Sequence, residues 1–191
     1  MKKLVGIDYS LTSPAICVTD DFIFEHSHFY FLTNKKKHMG KFGNIIGYEH
    51  QPYTDPIQRF TQISDWVLKI LKLNYPGKHT CGIGPAIAIE NYSYGSKGQA
   101  LFQIAENCGI LKYRLAEQKY KYNVIVPSVV KKLATGKGNA DKEMMYEQFC
   151  KDTKTDLKKL LDTTKANNPI SDIVDSWYIA KAYYEKIGEK L

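Results

Sequence analysis

The sequence predicts an α/β fold, a mixed five-stranded sheet with helices on both faces. Three observations predict it. Short apolar runs separated by turns fill the chain up to Phe31, helical periodicity begins at Ile57, and two later apolar runs each lead into a helix. Early antiparallel strands followed by strand–helix units imply a mixed sheet covered on both sides.

Leu4 to Ile7 is the first apolar run and ends on Asp8; Ala15 to Val18 is the second, and Phe22 to Phe31, after the turn at Asp20-Asp21, is the third. Residues 33–56, with Lys35-Lys36-Lys37, Pro52 and Pro56, read as a basic insertion or long loop. Ile57, Phe60, Ile63, Val67, Ile70 and Leu71 recur at helical spacing and predict a helix over 57–73. Ala86 to Ile89 is a buried strand ending on Glu90, and a helix over 99–118 follows the loop from Asn91 to Gly98. Tyr122 to Val126 is another strand. Pro127 opens a short helix, where proline is tolerated, and Asp141 caps the next. Residues 152–168 are polar and weakly patterned. Ser171 stands at an N-cap position before a last helix with Ile173, Val174, Trp177, Ile179, Ala180 and Tyr183. A single domain accounts for all of it.

The composition sets bounds on function. A hydrophobic content of 43% suits a packed core, and no apolar run is long enough to span a membrane. No signal peptide is read at the start, so a cytoplasmic location is expected. Cys17, Cys81, Cys108 and Cys150 are far apart, a spacing that suits neither a zinc site nor a disulfide framework. The net charge of +7 and a pI near 9.0 suit a polyanionic partner.

The chemistry lies in the acids. Asp8 and Glu90 end strands, and in a mixed α/β sheet such ends converge on one edge. Asp172 and Asp175 are three apart at the start of the last helix, so they share a face that continues to the apolar Ile179. Carboxylates gathered together repel, and divalent cations provide the compensation. Oxygen-only ligands suit Mg²⁺ or Mn²⁺ rather than zinc. Two such ions activate a water and stabilise a leaving oxygen in phosphodiester hydrolysis. Each acid taken alone is more often a cap or a solvated turn residue; the combination is what carries weight.

Four segments resemble the RuvC-like Holliday junction resolvases, in that family's order and across nearly the whole chain. Val5-Gly6-Ile7-Asp8-Tyr9-Ser10-Leu11-Thr12 resembles the first motif, with Ser10 in place of the family's glycine; Ala88-Ile89-Glu90-Asn91 resembles the second. The basic, glycine-bearing stretch from Lys131 to Lys142 resembles the third, and Ser171-Asp172-Ile173-Val174-Asp175-Ser176 the fourth. The resemblance implies a ribonuclease H-like fold, a homodimer, and cleavage of four-way DNA junctions by paired nicks with two Mg²⁺ or Mn²⁺ ions per site. It implies Asp8, Glu90, Asp172 and Asp175 as catalytic metal ligands, and Lys131 and Lys142 as phosphate contacts. Lys137 joins the DNA-binding set, with Lys97, Lys35, Lys36 and Lys37 as weaker members. Where the family places a stacking aromatic, this chain has Ser93 flanked by Tyr92 and Tyr94, so either ring is a candidate for stacking on an exposed base. The long basic segment over 33–56 resembles a phage or viral branch, which would act in the host cytoplasm.

Beside this one stand a flap or fork endonuclease of the same fold and two other readings. The opening Gly6-Ile7-Asp8 with Ser10 and Thr12 also resembles the phosphate motif of sugar kinases and the actin/Hsp70 ATPases, but no second phosphate loop follows, and no nucleotide cofactor is expected. A non-catalytic DNA-binding module of the same fold is the other; the presence of all four acids favours the enzyme. His26 and His28 read as surface histidines.

Overall fold

The computed structural model describes residues 3–76, 84–92 and 99–188. Its strands are β1 (Leu4–Asp8), β2 (Ala15–Thr19), β3 (His28–Thr33), β4 (Gly40–Phe42), β5 (Ile45–Glu49), β6 (Ala86–Glu90) and β7 (Tyr122–Ile125). Its helices are α1 (Pro56–Asn74), α2 (Gln99–Glu117), α3 (Pro127–Thr135), α4 (Lys142–Thr153), α5 (Leu157–Leu160) and α6 (Ile170–Gly188).

The strands form one mixed sheet in the order β4-β5-β3-β2-β1-β6-β7. β1 is central. It pairs antiparallel with β2, Asp8 opposite Ala15, and parallel with β6, Ile7 opposite Ile89. That register brings Asp8 and Glu90 to the same end of neighbouring strands. β6 pairs parallel with β7.

Among the described residues the sheet has seven strands, not the expected five, because the segment read as a loop supplies two more. β5 pairs parallel with β3, and β4 folds back on β5 through Gly43, whose φ of +64° suits glycine. Lys36–His38 form a 3₁₀ turn that sits on β5: a β-carbon on Gly47 would come within 1.9 Å of the His38 carbonyl oxygen. β3 is also shorter than its apolar run, since Phe24–His26 form a 3₁₀ turn before it.

The expected cap at Asp141 is present, and a second stands at Asp55. The Asp55 side chain accepts from the Gln58 amide at 2.9 Å ahead of Pro56, and the Asp141 side chain accepts from Met144 at 2.9 Å. Gly136, at φ +77°, ends α3 in a left-handed cap. α6 begins at Ile170, so Ser171 lies in its first turn rather than at its cap. Residues 152–168 contain the short α5.

Helices cover both faces, as expected. On one, Ile63, Val67, Ile70 and Leu71 of α1 and Leu111 and Leu115 of α2 pack against Val5, Ile7, Ile16 and Ile87. On the other, Ile173, Val174 and Trp177 of α6, with Val130 of α3 and Phe149 of α4, pack against Cys17, Phe29, Phe31 and Ala88. Cys17, Cys108 and Cys150 are free thiols, and Cys81 lies outside the described residues. No described helix is long and apolar enough to cross a membrane.

Candidate active site

Three elements bring four carboxylates together. Asp8 ends β1 and Glu90 ends the parallel neighbour β6. α6 crosses the face of β1 with Asp172 and Asp175 in its first turns. Its approach depends on Gly6, where a β-carbon would lie 2.0 Å from the Ser176 carbonyl oxygen. Trp177, Ile173 and Val174 bury the rest of the α6 face, so the acids are turned inward with it.

The electrostatics show the crowding. Burial, then repulsion by Asp172, Glu90 and Asp175, pushes Asp8 well above the usual carboxylate range. Burial and Asp175 raise Glu90, while Lys131 opposes. Burial and Asp172 raise Asp175, opposed by Lys131 and Lys142. Burial raises Asp172, and the neighbouring Ser13 hydroxyl, Lys142, Ser171 and Lys35 pull it back. Asp172 is 6% exposed, and its Oδ2 atom has no hydrogen-bond partner.

Among the described residues no group of three or more His, Cys, Asp or Glu side chains is arranged, as it stands, to hold a metal ion. The electrostatic coupling and this geometry say different things. The first reports that the four acids feel one another, the second that their oxygens are not drawn onto a common point. The donor chemistry fits a hard divalent cation all the same: oxygen ligands only, buried, mutually repelling, with one buried oxygen unpaired.

A cavity of about 370 Å³ opens beside the acids, lined by Asp8, Glu90, Tyr92 and the β1–β2 loop residues Ser10, Leu11 and Thr12. Asn107 of α2 lines it too, 1% exposed with both amide atoms unpartnered. No periodicity or motif singles out this asparagine in the sequence.

The basic residues divide. Lys131 on α3 and Lys142 at the start of α4 are near enough to the acids to oppose their shifts. Lys142 Nζ donates to Asn168 Oδ1 and to Ser171 Oγ, each at 3.3 Å. Lys137 is exposed beyond α3 and enters none of these shifts. The Lys35 run is not a free loop: Lys35 Nζ donates to the Asn168 carbonyl at 2.9 Å, and Lys37 Nζ to the Asp162 carbonyl at 3.0 Å. Lys35, the weaker expectation, thus acts on Asp172 together with Lys142. Asn168, missed in the sequence, holds both Lys35 and Lys142. Tyr92 packs partly on the core with Lys112 Nζ 5.4 Å from its ring centre. Tyr94 and Lys97 lie outside the described residues. His26 is exposed and bonded to Asp21.

A central β1 flanked by an antiparallel hairpin and parallel strand–helix units, with α6 laid across it, is a ribonuclease H-like α/β fold. Within that class the fold is that of the RuvC-like resolvases. Thermus thermophilus RuvC superposes over 97% of this chain and 96% of its own, with a TM-score of 0.57 and 18% identity. T. thermophilus RuvC in complex with a Holliday junction substrate superposes over 98% and 97%, with a TM-score of 0.61 and 16% identity. The yeast mitochondrial Holliday junction resolvase Ydc2 is more distant, covering 94% of this chain and 77% of its own at 13% identity, with a TM-score of 0.48. At these identities the likeness is one of fold. No family model matches the chain, and no curated protein matches it by sequence.

Proposed function

We propose that this chain is a divalent-metal-dependent endonuclease that cuts branched DNA, the four-way junction foremost, by phosphodiester hydrolysis with paired nicks. The observation that carries the proposal is the four acids of β1, β6 and α6, each raised by burial and most by one another, on a RuvC-like fold. A polypeptide does not bury four like charges together without a cation to offset them. One of the solved relatives of this fold is held in complex with a Holliday junction.

Asp8, Glu90, Asp172 and Asp175 would hold Mg²⁺ or Mn²⁺, two ions on the family pattern, which supply charge neutralisation and an activated water. The chain's own groups do the rest. Lys142, anchored by Asn168 and Ser171, and Lys131 present ammonium groups to the phosphate of the strand to be cut. Asp8, between the other acids, is the ligand whose loss removes most of the negative charge that gathers the cations. Tyr92, in the cavity wall beside Glu90, offers a ring to a base exposed where strands separate.

Paired nicks need two sites, hence a homodimer. α2 supplies a surface for a second copy: Phe102 and Tyr113 are 67% and 68% exposed, and the space over Gly109 is open. Residues 102, 109 and 113 follow helical spacing and fall on one stripe. Cys108, next to Gly109, does not share it, since it is buried in the core. Light scattering at micromolar concentration is expected to give the mass of a dimer, and Phe102→Asp that of a monomer.

The substrate test compares cleavage of a four-way junction, a three-way junction, a flap and a linear duplex of shared sequence. The junction is expected to be cut best and the linear duplex least. Equal cutting of the linear duplex would defeat the structure-selective reading.

A further inference from the structure

A second cavity, of about 380 Å³, lies between β5 and α1. Its size is that of a small-ligand site, for which about 300–1,000 Å³ is usual. Tyr48 and Trp66 wall it, their rings edge to face with centres 6.4 Å apart. The β1–β2 loop ties it to the carboxylates. Arg59, which lines this second cavity, donates from Nη2 to the Leu11 carbonyl at 2.8 Å, and His50 Nε2 lies 3.0 Å from the Thr12 carbonyl. Leu11 and Thr12 line the first cavity, beside Asp8 and Glu90.

Two donors of its lining residues have no partner among the described residues. Trp66 is 7% exposed and its buried Nε1–H has no partner; neither has the buried Nε–H of Arg59. Buried donors are nearly always paired, and an unpaired one costs its full desolvation. A ligand that brings acceptor atoms to both relieves that cost. The lining charges come close to balance: Arg59 and Lys69 stand in the wall with Glu49 and Asp65, the last paired with Arg114 at 2.5 Å, and Lys69 Nζ lies 5.9 Å from the Tyr48 ring centre. No concentrated positive charge is therefore offered to a free phosphate. A flat ring carrying carbonyl oxygens meets both requirements, lying against Tyr48 and accepting from Trp66 and Arg59. Pyrimidine bases carry such carbonyls, and every base has a face that stacks on an aromatic ring.

We propose that this cavity receives an unpaired nucleobase from the DNA strand that runs past the carboxylates over the β1–β2 loop. The proposal rests on the branched-DNA reading above and adds to it a second point of contact, specific for unpaired rather than duplex DNA. A paired base is locked in its stack and cannot enter.

The test uses the full chain and an eight-nucleotide oligothymidylate carrying one 5-iododeoxyuridine, with EDTA present so that nothing is hydrolysed. After irradiation, adducts are expected on Tyr48 or Trp66. The affinity of the unmodified oligomer, read by fluorescence anisotropy, is expected to fall about tenfold in Tyr48→Leu, and also to fall in Trp66→Phe, which keeps the ring and loses the donor. Adducts confined to other residues, Tyr92 among them, would overturn the proposal even where a variant had failed to fold, because the crosslink is made on the wild-type chain. Thymidine monophosphate binding as tightly as the oligomer would overturn the strand assignment in favour of a free nucleotide. The two readings fail separately. A chain that cuts junctions but gives no adduct here loses this site alone. A chain that gives the adduct but cuts nothing loses the nuclease reading and keeps the site.

Discussion

Gly6 and Ser176 touch through bare backbone. A β-carbon on Gly6 would meet the Ser176 carbonyl oxygen at 2.0 Å and the Ala180 amide nitrogen at 2.6 Å. Asp8 lies two residues beyond Gly6, and Asp172 and Asp175 lie just before Ser176, so this contact sets how closely the acids of β1 and α6 approach. Gly6→Ala should therefore push α6 away from β1. Overpacking of this kind costs about 1–3 kcal/mol, and the upper end is expected because the clashing atoms are backbone. Urea denaturation of the two proteins measures it. A loss below about 0.5 kcal/mol, within the range of ordinary surface changes, would mean that α6 does not rest on Gly6.

The raised carboxyls make stability depend on pH in an unusual direction. Glu90 is pushed up to about 8, Asp175 to about 7 and Asp172 to about 6, by burial first and, for Glu90 and Asp175, neighbouring acids next. Such groups bind protons more tightly in the native state than in the unfolded chain. Metal-free protein should therefore lose stability from this cluster as pH rises from about 4, the ordinary carboxylate value, to about 8. Glu90→Gln removes part of that loss. Thermal denaturation in EDTA from pH 5 to pH 8 should show the wild type falling more steeply than Glu90→Gln. Mn²⁺ should raise the wild-type midpoint more at pH 8 than at pH 5, because the acids must be ionised to bind it. Parallel profiles without and with Mn²⁺ would contradict the cluster's role.

Lys142 and Lys137 should separate in a salt titration. Each phosphate contact on duplex arms contributes about 0.9 to the slope of log affinity against log salt. Lys142, held beside the acids by Asn168 and Ser171, is expected to contribute one such contact, so Lys142→Ala should lower the slope by about 0.9. Lys137→Ala, at an exposed residue beyond α3, should lower the slope less than Lys142→Ala. An unchanged slope for Lys142→Ala would exclude its contact.

The acids were legible because each follows a strong local pattern. Asp8 and Glu90 close apolar strands, and Asp172 and Asp175 open a helix whose apolar face is plain. The third-motif lysines followed from order along the chain. Strands β4 and β5 were not legible. Gly40, Gly43 and Gly47 interrupt any alternation, β4 has only three residues, and β5 is defined by parallel pairing with β3, a long-range contact. The link from Lys35 to Asn168 spans 133 positions, and no local signal announces it. α5 is four residues long, too short for a periodicity. Asn107 is equally silent, since it belongs to none of the four motifs and follows another polar residue, Glu106.

The central claim, that these four acids cut branched DNA by holding a divalent cation, is tested most directly by one measurement. A labelled four-way junction is incubated with wild type and with Asp8→Asn, each in Mg²⁺ and in excess EDTA, and binding and cleavage are scored separately. Wild type is expected to cut in Mg²⁺ and not in EDTA. Asp8→Asn is expected to bind the junction but to cut it at least about a hundredfold more slowly, the loss of several kcal/mol of transition-state stabilisation. Cleavage that persists in EDTA, or an Asp8→Asn chain that cuts near the wild-type rate, would contradict the account.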